Sequence, residues 1–461
     1  MKKVLLIDFG STYTKITAVD IEKENIIGTA SSYTTINTDI NEGLNNAKLI
    51  LEKKCGKLEF DETYACSSAA GGLRMMSCGL VSSVTAEAAK QASLGAGAKV
   101  LKVYSYELTE EDIKEIDEIN PEIFLLAGGT DGGNQKYILH NAKMLSTCKS
   151  NFPIIIAGNR TVSKKCSEFL ENKENYIVDN VMPKYGDLNI EPAQKKIRDI
   201  FLKQIINAKG ITKTSSIISG ILMPTPSAMM KAMELLTKGH EDENGIGELL
   251  AIDIGGATTD IYSIANGYPD EANIIYKGIK EPYIKRTVEG DIGMRYSVYG
   301  ILEEVGIEKI SELSNLPISK CEEIINNLYN NPDTIPLNDK DLISMDKALA
   351  SLAIEIATIR HSGKMEKAYT TSGIAYVQSG KNLSNINKIV VTGGSIIHID
   401  KTYDIVKHAL YNEEKPDSLR PKKADILIDR KYILSAMGLL SEHYPKTAIR
   451  IMKEELKYDG N

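Results

Sequence analysis

The sequence predicts an α/β protein in which two similar strand–turn–strand hairpins organise the chain and a separate parallel α/β domain is inserted between them. Three observations support this prediction. The stretch DIGGATTD at 253–260 follows an apolar run and leads into β-branched residues, which is typical of a hairpin with a Gly-Gly tip. The stretch DFGSTYTK at 8–15 repeats that pattern near the N-terminus. From 98 to 212, apolar runs of strand length alternate with helical patterns.

The order of the predicted elements divides the chain into three segments. The first hairpin is followed by a third strand, a helix, a fourth strand and a helix rich in small residues. We therefore predict the start of a first half at 1–97, the inserted α/β domain at 98–212, and the remainder of the core, with a second half and a variable outer subdomain, at 213–461. The length of 461 residues agrees with about three domains.

The second hairpin has the residue types that bind a phosphate group. Gly255 and Gly256 let backbone N–H groups approach a phosphate closely, and Thr258 and Thr259 add hydroxyls. Carboxylates on either side of the tip are suitable for a hydrated Mg²⁺ ion. Asp260, at the end of the motif, would either orient a water molecule or cap a turn.

The first hairpin offers the same groups in the same order. Its tip contains Gly10, Ser11 and Thr12, and Asp8 precedes the tip. Lys15 begins the returning strand, where it would either add a positive charge for phosphate or face solvent. Two such hairpins in one chain suggest two jaws that close on one polyphosphate.

A third stretch, KIVVTGGS at 388–395, indicates which ligand the two hairpins bind. A buried strand ends there in a turn formed by Gly393, Gly394 and Ser395. Such a turn allows the backbone and a helix N-terminus to lie flat against a nucleoside.

Composition excludes several classes of function. A net charge of −7 and the absence of a basic tract argue against nucleic-acid binding. The apolar runs are of strand length, so we expect no membrane span, and the first strand begins directly after Lys3, so we expect no secretory signal and a cytoplasmic protein. The six cysteines form no C-x-x-C pair, and we interpret them as reduced thiols.

The three stretches, in this order, resemble the phosphate 1, phosphate 2 and adenosine motifs of the actin, sugar-kinase and heat-shock-chaperone ATPases. The resemblance implies two ribonuclease-H-like, actin-type ATPase domains that bind ATP and Mg²⁺. Asp8 and Asp253 would hold Mg²⁺ through its waters, and with Asp260 they are the predicted catalytic residues. Two helices of small residues, near 225–236 and 432–440, would form the hinge.

The chaperones also place an acid and a base near the adenosine ribose, about thirty residues past the second hairpin. Glu289 and Arg295, in RTVEGDIGMR at 286–295, are the corresponding candidates here. A solvated charged turn is the alternative interpretation. His361 ends a predicted helix, where a cation is favoured, and we interpret it as structural.

Longer motifs resemble one family within this group, the glutamate mutase accessory proteins (GlmL, also called MutL, unrelated to the mismatch-repair protein). They are CSSAAGGLRM at 66–75, LLAGGTDGGN at 125–134, ILMPTPSA at 221–228 and TVEGDIGMR at 287–295. The resemblance implies an ATP-driven reactivating factor that releases damaged cobalamin from an adenosylcobalamin-dependent mutase. The inserted domain is similar to a flavodoxin-like cobalamin-binding domain but lacks the D-x-H-x-x-G motif that supplies a cobalt ligand.

Two alternatives remain at this point. The protein could be a small-molecule kinase of the same fold, or a nucleotide-regulated scaffold without turnover. If the protein is a reactivating factor, we expect a partner mutase that it binds through the catalytic subunit, and a homo-oligomer is compatible with this interpretation and with both alternatives.

Overall fold

The computed structural model describes residues 2–10, 13–34, 40–68, 73–208, 221–269, 271–336, 338–371, 373–394, 396 and 402–458. The strands, in chain order, are β1 (Lys3–Phe9), β2 (Tyr13–Asp20), β3 (Asn25–Tyr33), β4 (Glu62–Ser67), β5 (Leu73–Gly79), β6 (Ala98–Ser105), β7 (Ile123–Leu126), β8 (Ile154–Ile156), β9 (Asn175–Ile177), β10 (Ile221–Pro224), β11 (Gly239–His240), β12 (Glu243–Asn244), β13 (Leu249–Ile254), β14 (Thr259–Ile264), β15 (Ile274–Lys277), β16 (Ile284–Glu289), β17 (Lys364–Thr370), β18 (Gly373–Ser379), β19 (Lys388–Thr392), β20 (Asp425–Ile428) and β21 (Lys457–Tyr458).

The helices, in chain order, are α1 (Ile40–Cys55), α2 (Thr85–Gly95), α3 (Glu110–Ile119), α4 (Lys136–Ser146), α5 (Ser163–Phe169), α6 (Glu191–Ala208), α7 (Thr225–Lys238), α8 (Val298–Val305), α9 (Ile307–Ser314), α10 (Ile318–Asn330), α11 (Lys340–His361), α12 (Tyr403–Val406), α13 (Leu434–Leu440) and α14 (Pro445–Glu455), with a short 3-10 helix at Lys407–Ala409. The protein is therefore a mixed α/β fold. Among the described residues, no helix combines the length and the apolar character needed to cross a membrane.

The chain divides into two compact units. The first comprises Met1–Ala232, Gly278–Pro282 and Leu434–Ile451. The second comprises Met233–Lys277, Tyr283–Ile433 and Met452–Asn461.

Both units contain a sheet of the same design. In the first unit the order is β3-β2-β1-β4-β10, and in the second it is β16-β14-β13-β19-β20, with β21 added beyond β20. In each sheet the first three strands are antiparallel neighbours and the next two join in parallel. The two predicted hairpins, β1–β2 and β13–β14, therefore occupy the same place in their respective sheets.

The first unit contains a second, entirely parallel sheet with the order β6-β5-β7-β8-β9. Two of its strands, β7 (IFLL) and β8 (III), are short, apolar and fully buried, as is typical of strands covered by helices on both faces. Because β5 lies between β6 and β7 in this sheet, the segment that forms the sheet begins at Leu73, earlier than residue 98. A boundary at 98 would separate β5 from its two neighbours.

The two sheets of the first unit share one hydrophobic core. That core contains Leu5 and Ile7 of β1 together with Leu73 and Met75 of β5, all of them buried. The parallel sheet is therefore packed against the sheet that carries the first hairpin.

The two helices of small residues contact each other within the first unit. A Cβ built on Gly438 of α13 would lie 1.8 Å from the backbone oxygen of Ala228 in α7. Glycine is required here because the two backbones touch. The predicted close packing of these helices is present, and their role as a hinge stays a prediction.

Candidate functional site

The first hairpin closes through a backbone bond that requires glycine. At the tip between β1 and β2, the Gly10 N–H donates to the Tyr13 oxygen at 3.1 Å. A Cβ on Gly10 would lie 2.6 Å from that same oxygen, so any side chain would disturb the turn. Ser11 and Thr12, the predicted hydroxyls of this tip, lie outside the described residues.

Asp8 is held by two hydroxyls that come from distant helices. It is the penultimate residue of β1 and only 7% exposed. Thr225, the first residue of α7, donates its hydroxyl to one carboxylate oxygen at 2.6 Å, and Ser435 of α13 donates to the other at 2.9 Å. Both oxygens therefore have a fixed direction. Sequence reasoning identified both helices but gave no sign that their hydroxyls reach Asp8.

Lys15 and Cys66 are the neighbours of Asp8 on the two adjacent strands. Lys15 lies directly opposite Asp8 in the β1–β2 pair, and Cys66 is its partner in β4. Lys15 is half-buried, and it projects from the same face as Asp8 because opposed residues of an antiparallel pair share a face. A phosphate-binding role for Lys15 stays a prediction. Burial raises the pKa of the Cys66 thiol well above its usual value, and the charge of Asp8 raises it further.

The second hairpin reproduces this geometry. Asp253 and Asp260 are directly opposed in the β13–β14 pair. The Gly255 N–H donates to the backbone oxygen of Thr258 at 2.9 Å and closes the tip. Both hairpins thus place a carboxylate two residues before a glycine whose N–H closes the turn.

A following segment supports the tip of the second hairpin from its carbonyl side. The Gly255 oxygen accepts the N–H of Met294 at 3.1 Å. The Gly256 oxygen accepts those of Arg295 and Tyr296 at 2.8 and 2.9 Å. The carbonyls of the tip are therefore used within the protein.

The two threonines of the second hairpin have different surroundings. Thr259 is fully buried and donates its hydroxyl to the Ile292 oxygen at 2.9 Å. Thr258 is half-buried at the tip and donates to Asp260 at 3.2 Å. Asp260 in turn pairs with Arg286 at 2.6 Å. Arg286 did not stand out in the sequence, where it is one charge in a charged stretch.

Glu289 and Arg295, the predicted ribose clamp, belong to separate ion pairs. Arg295 is 9% exposed and makes a two-bond contact with Asp346 at 3.0 and 2.8 Å. Burial raises the pKa of the Asp346 carboxyl, although Arg295 opposes that shift. Glu289 pairs with Arg360 at 3.0 Å. The alternative of a solvated turn does not describe Arg295, because its guanidinium is buried.

The third motif packs against the second hairpin. Gly393 follows β19 with φ 125°, and a Cβ there would lie 2.4 Å from the Ile254 oxygen. Glycine is therefore required by both conformation and space. Gly394 is less restricted, since among the described residues its added Cβ would meet the Tyr432 hydroxyl, at 3.0 Å, and no backbone atom. Ser395 lies outside the described residues.

Asp429 is a buried carboxylate beside this motif that the sequence analysis did not identify. It follows β20, is 2% exposed, and accepts the Thr392 hydroxyl at 3.3 Å and the Ile433 N–H at 2.9 Å. The run ILID at 426–429 has the same pattern of an apolar strand ending in aspartate that marked Asp8 and Asp253. That pattern could have identified it.

His361 is structural, as predicted, but it is not a cation. It is fully buried, and its two ring nitrogens are hydrogen-bonded to the hydroxyls of Thr287 and Ser263, both at 2.8 Å. Burial lowers its pKa well below the usual value, and the nearby charges of Lys285 and Lys381 lower it further. The cost of burying a charge exceeds the favourable effect of the helix terminus.

The carboxylates are compatible with a magnesium nucleotide. No cluster of three or more His, Cys, Asp or Glu side chains with metal-binding geometry occurs in the part of the chain that the structure describes. Mg²⁺ commonly keeps most of its waters and binds one or two carboxylates together with phosphate oxygens, so it needs no such cluster. An aspartate near the end of a strand, beside a glycine turn that phosphate can approach closely, fits that requirement.

Comparison with known proteins identifies the family. The chain matches the family described as MutL protein over residues 4–456. It is 46% identical over 460 residues to Protein MutL of Clostridium tetanomorphum, and the match covers 99% of each chain.

Similarities to solved structures are much weaker. They include xylulose kinase from Lactobacillus acidophilus, at 8% identity and TM-score 0.34 over 100% of this chain and 93% of that one. They also include a glycerol dehydratase reactivase, at 10% identity and TM-score 0.36 over 95% of this chain and 99% of that one. Scores this low carry no argument about fold or function. The sequence match extends along the whole chain and is strong enough to assign a family. The protein belongs to the MutL family, as its motifs predicted.

Proposed function

We propose that this protein is an ATP-dependent reactivating factor for an adenosylcobalamin-dependent mutase of the glutamate mutase type. Such a client enzyme would place the protein in the cytoplasm. The observation that carries the proposal is the repeated hairpin. An aspartate ends a buried strand, two residues before a glycine that closes the tip, at the same place in two sheets of equal order. Family membership connects this nucleotide-binding design with an accessory role for a mutase.

The sheet orders support an actin-type assignment for the core. Three antiparallel strands followed by two parallel strands is the ribonuclease-H-like order, and it occurs in both units. The parallel sheet has the order 2-1-3-4-5 in chain numbering, which is the flavodoxin-like order. We propose that the insertion begins near Leu73 and ends near Ala208.

In this proposal both hairpins bind MgATP. Asp8 and Asp253 hold waters of the metal, while the glycines of the two tips, Gly10, Gly255 and Gly256, let the backbone approach phosphate oxygens closely. When bound, MgATP supplies a phosphoanhydride bond whose hydrolysis resets the protein. The hydroxyls on Asp8 keep its oxygens in place before the metal arrives, which reduces the reorganisation that binding requires.

We propose that the insertion contacts the client protein instead of cobalamin. Its glycine-rich loop is closed by its own side chains, and this closure supports the proposal. The Asn159 oxygen accepts the Gly132 N–H at 3.1 Å, and its amide donates to the Gly133 oxygen at 3.2 Å. Asn180 donates to the Gly129 oxygen at 3.0 Å. The Gly132 N–H, which could bind a phosphate-bearing ligand, is thus used to hold the loop, together with two of its carbonyl oxygens.

ATP binding provides enough free energy to drive such a cycle. At a thousand times its dissociation constant, a ligand that binds only one of two states stabilises that state by about 4 kcal/mol. This is sufficient to change the dominant state of a protein whose two forms differ by a few kcal/mol. ATP binding would therefore favour the form of this protein that opens the client mutase, and hydrolysis would restore the other form.

The test is a reactivation assay. A glutamate mutase inactivated with hydroxocobalamin is given this protein, ATP, Mg²⁺ and fresh coenzyme, and mutase activity and released cobalamin are measured. We expect both to recover with the wild-type protein and neither with Asp253→Ala. No recovery with wild-type protein that binds ATP would refute the reactivating role. ADP formation driven by a small metabolite without any mutase would instead indicate a kinase.

A further inference from the structure

A chain of three side chains ends at the tip of the second hairpin. Arg286 of β16 donates from Nε to an Asp260 oxygen at 2.9 Å, and its terminal nitrogen lies 2.6 Å from the same oxygen. The side chains of Arg286 and Asp260 are 5% and 13% exposed. The other Asp260 oxygen accepts the Thr258 hydroxyl at 3.2 Å. The Asp260 carboxylate is thus fixed from one side and orients Thr258 on the other.

The direction of the last hydrogen bond limits what Thr258 can do. A carboxylate can only accept, so the hydroxyl proton of Thr258 points at Asp260. The lone pairs of its oxygen then face the tip. Phosphate oxygens are acceptors, whereas a water molecule can donate to these lone pairs. Thr259 cannot take this role, because its buried hydroxyl donates to a backbone oxygen of the supporting segment.

We propose that Arg286 is a positioning residue for ATP hydrolysis, acting through Asp260 on Thr258, whose oxygen accepts a hydrogen bond from the attacking water. This inference rests on the proposed ATPase function. In the step, the water oxygen forms the new bond to the γ-phosphorus, and the bond to the β–γ bridging oxygen breaks with its electron pair leaving on ADP. The water protons leave with inorganic phosphate and bulk solvent. Asp260 orients the hydroxyl and accepts no proton from the water.

The proposal separates turnover from binding. A group that orients water contributes to the transition state and little to the affinity for ATP, so its loss lowers kcat while leaving the dissociation constant nearly unchanged. A hydroxyl that bound phosphate would show the reverse. A purely structural ion pair would change folding stability and spare kcat in the molecules that remain folded.

The experiment uses the full chain and measures kcat for phosphate release and the dissociation constant for MgATP. Thr258→Val removes the hydroxyl, and the double variant Asp260→Asn/Arg286→Gln removes both charges without leaving one of them buried alone. We expect each to lower kcat roughly 100-fold, because misplaced reactants cost about that factor. The dissociation constant for MgATP should change by less than about threefold, which in free energy is less than half the effect of a tenfold change.

A double-mutant cycle tests whether Arg286 acts through Thr258. Adding Asp260→Asn/Arg286→Gln to Thr258→Val should cause no further loss of kcat, because the oriented group is already gone. Arg420→Gln is the control, since it removes another fully buried arginine of the same unit, and it should leave kcat unchanged. If the losses of kcat multiply when the variants are combined, or if MgATP binding weakens while kcat is unchanged, the inference is overturned and the proposed function stays intact. Wild-type protein that fails to hydrolyse ATP would overturn both.

Discussion

Acid should destabilise the second unit through His361, by an amount that follows from its burial. The folded protein holds this imidazole neutral between two hydroxyls, with its pKa well below the usual 6.5. Above pH 6.5 the side chain is neutral in both the folded and the unfolded chain, so it adds no pH dependence. As the pH falls below 6.5, the unfolded chain gains a proton that the folded chain does not take. Folding then loses stability until the lowered folded pKa is reached.

The magnitude follows from linkage. Each pH unit between the unfolded and folded pKa costs about 1.4 kcal/mol, so the free energy of unfolding should fall by about 1.4 kcal/mol between pH 7.5 and pH 5.5 on account of this residue. His361→Gln keeps a polar side chain but cannot titrate, and it should lack this component. The five other histidines are common to both proteins and cancel in the comparison.

Urea unfolding at the two pH values, followed by circular dichroism and by hydrogen exchange in peptides around residue 361, measures the difference. The wild-type protein should lose about 1.4 kcal/mol more than His361→Gln on acidification. An equal loss in the two proteins would show that the folded His361 takes up a proton as readily as the unfolded one. The reasoning from burial would then be wrong.

Three further substitutions test other parts of the structure. Gly438→Ala should lower the melting temperature, because its Cβ would overlap the Ala228 backbone and overpacking of this kind costs about 1–3 kcal/mol. Arg295→Met should cost about 3–5 kcal/mol in urea unfolding by leaving Asp346 buried alone, and Arg295→Met/Asp346→Leu should recover most of it; equal stability of single and double variants would contradict this. Gly393→Ala should weaken MgATP binding at least tenfold in titration calorimetry, since the turn cannot keep its conformation, and unchanged binding would exclude this turn from the site.

The local elements of the core could be predicted from the sequence because their signals are local. An apolar run, an aspartate, a glycine turn and a β-branched return define each hairpin within about fifteen residues. The two hairpins, the third strand after the first of them and both helices of small residues are all present. The helix predicted to end at His361 is α11, and Asp339 caps its start through its side chain.

Contacts between distant parts of the chain could not be predicted in this way. Asp8 meets partners 217 and 427 positions away, and a hydroxyl that points at a distant carboxylate leaves no pattern in its own neighbourhood. The membership of β5 in the parallel sheet depends on pairing with strands that follow it, and its sequence LRMMSCG gives no sign of which sheet it joins. The resemblance to the chaperones paired Glu289 with Arg295 as a ribose clamp, whereas in the structure each forms an ion pair with a different residue of α11, Arg360 and Asp346 respectively.

Titration calorimetry of MgATP into four proteins tests whether both hairpins bind MgATP. These are the wild type, Asp8→Asn, Asp253→Asn, and the control Asp20→Asn at the end of β2 away from the tip, where the carboxylate accepts the backbone N–H groups of Glu22 and Lys23. We expect binding by the wild type and the control, and affinity at least tenfold weaker in both Asp8→Asn and Asp253→Asn. A wild-type protein that does not bind MgATP, or either hairpin variant binding as tightly as the wild type, would show that the two hairpins do not both bind MgATP.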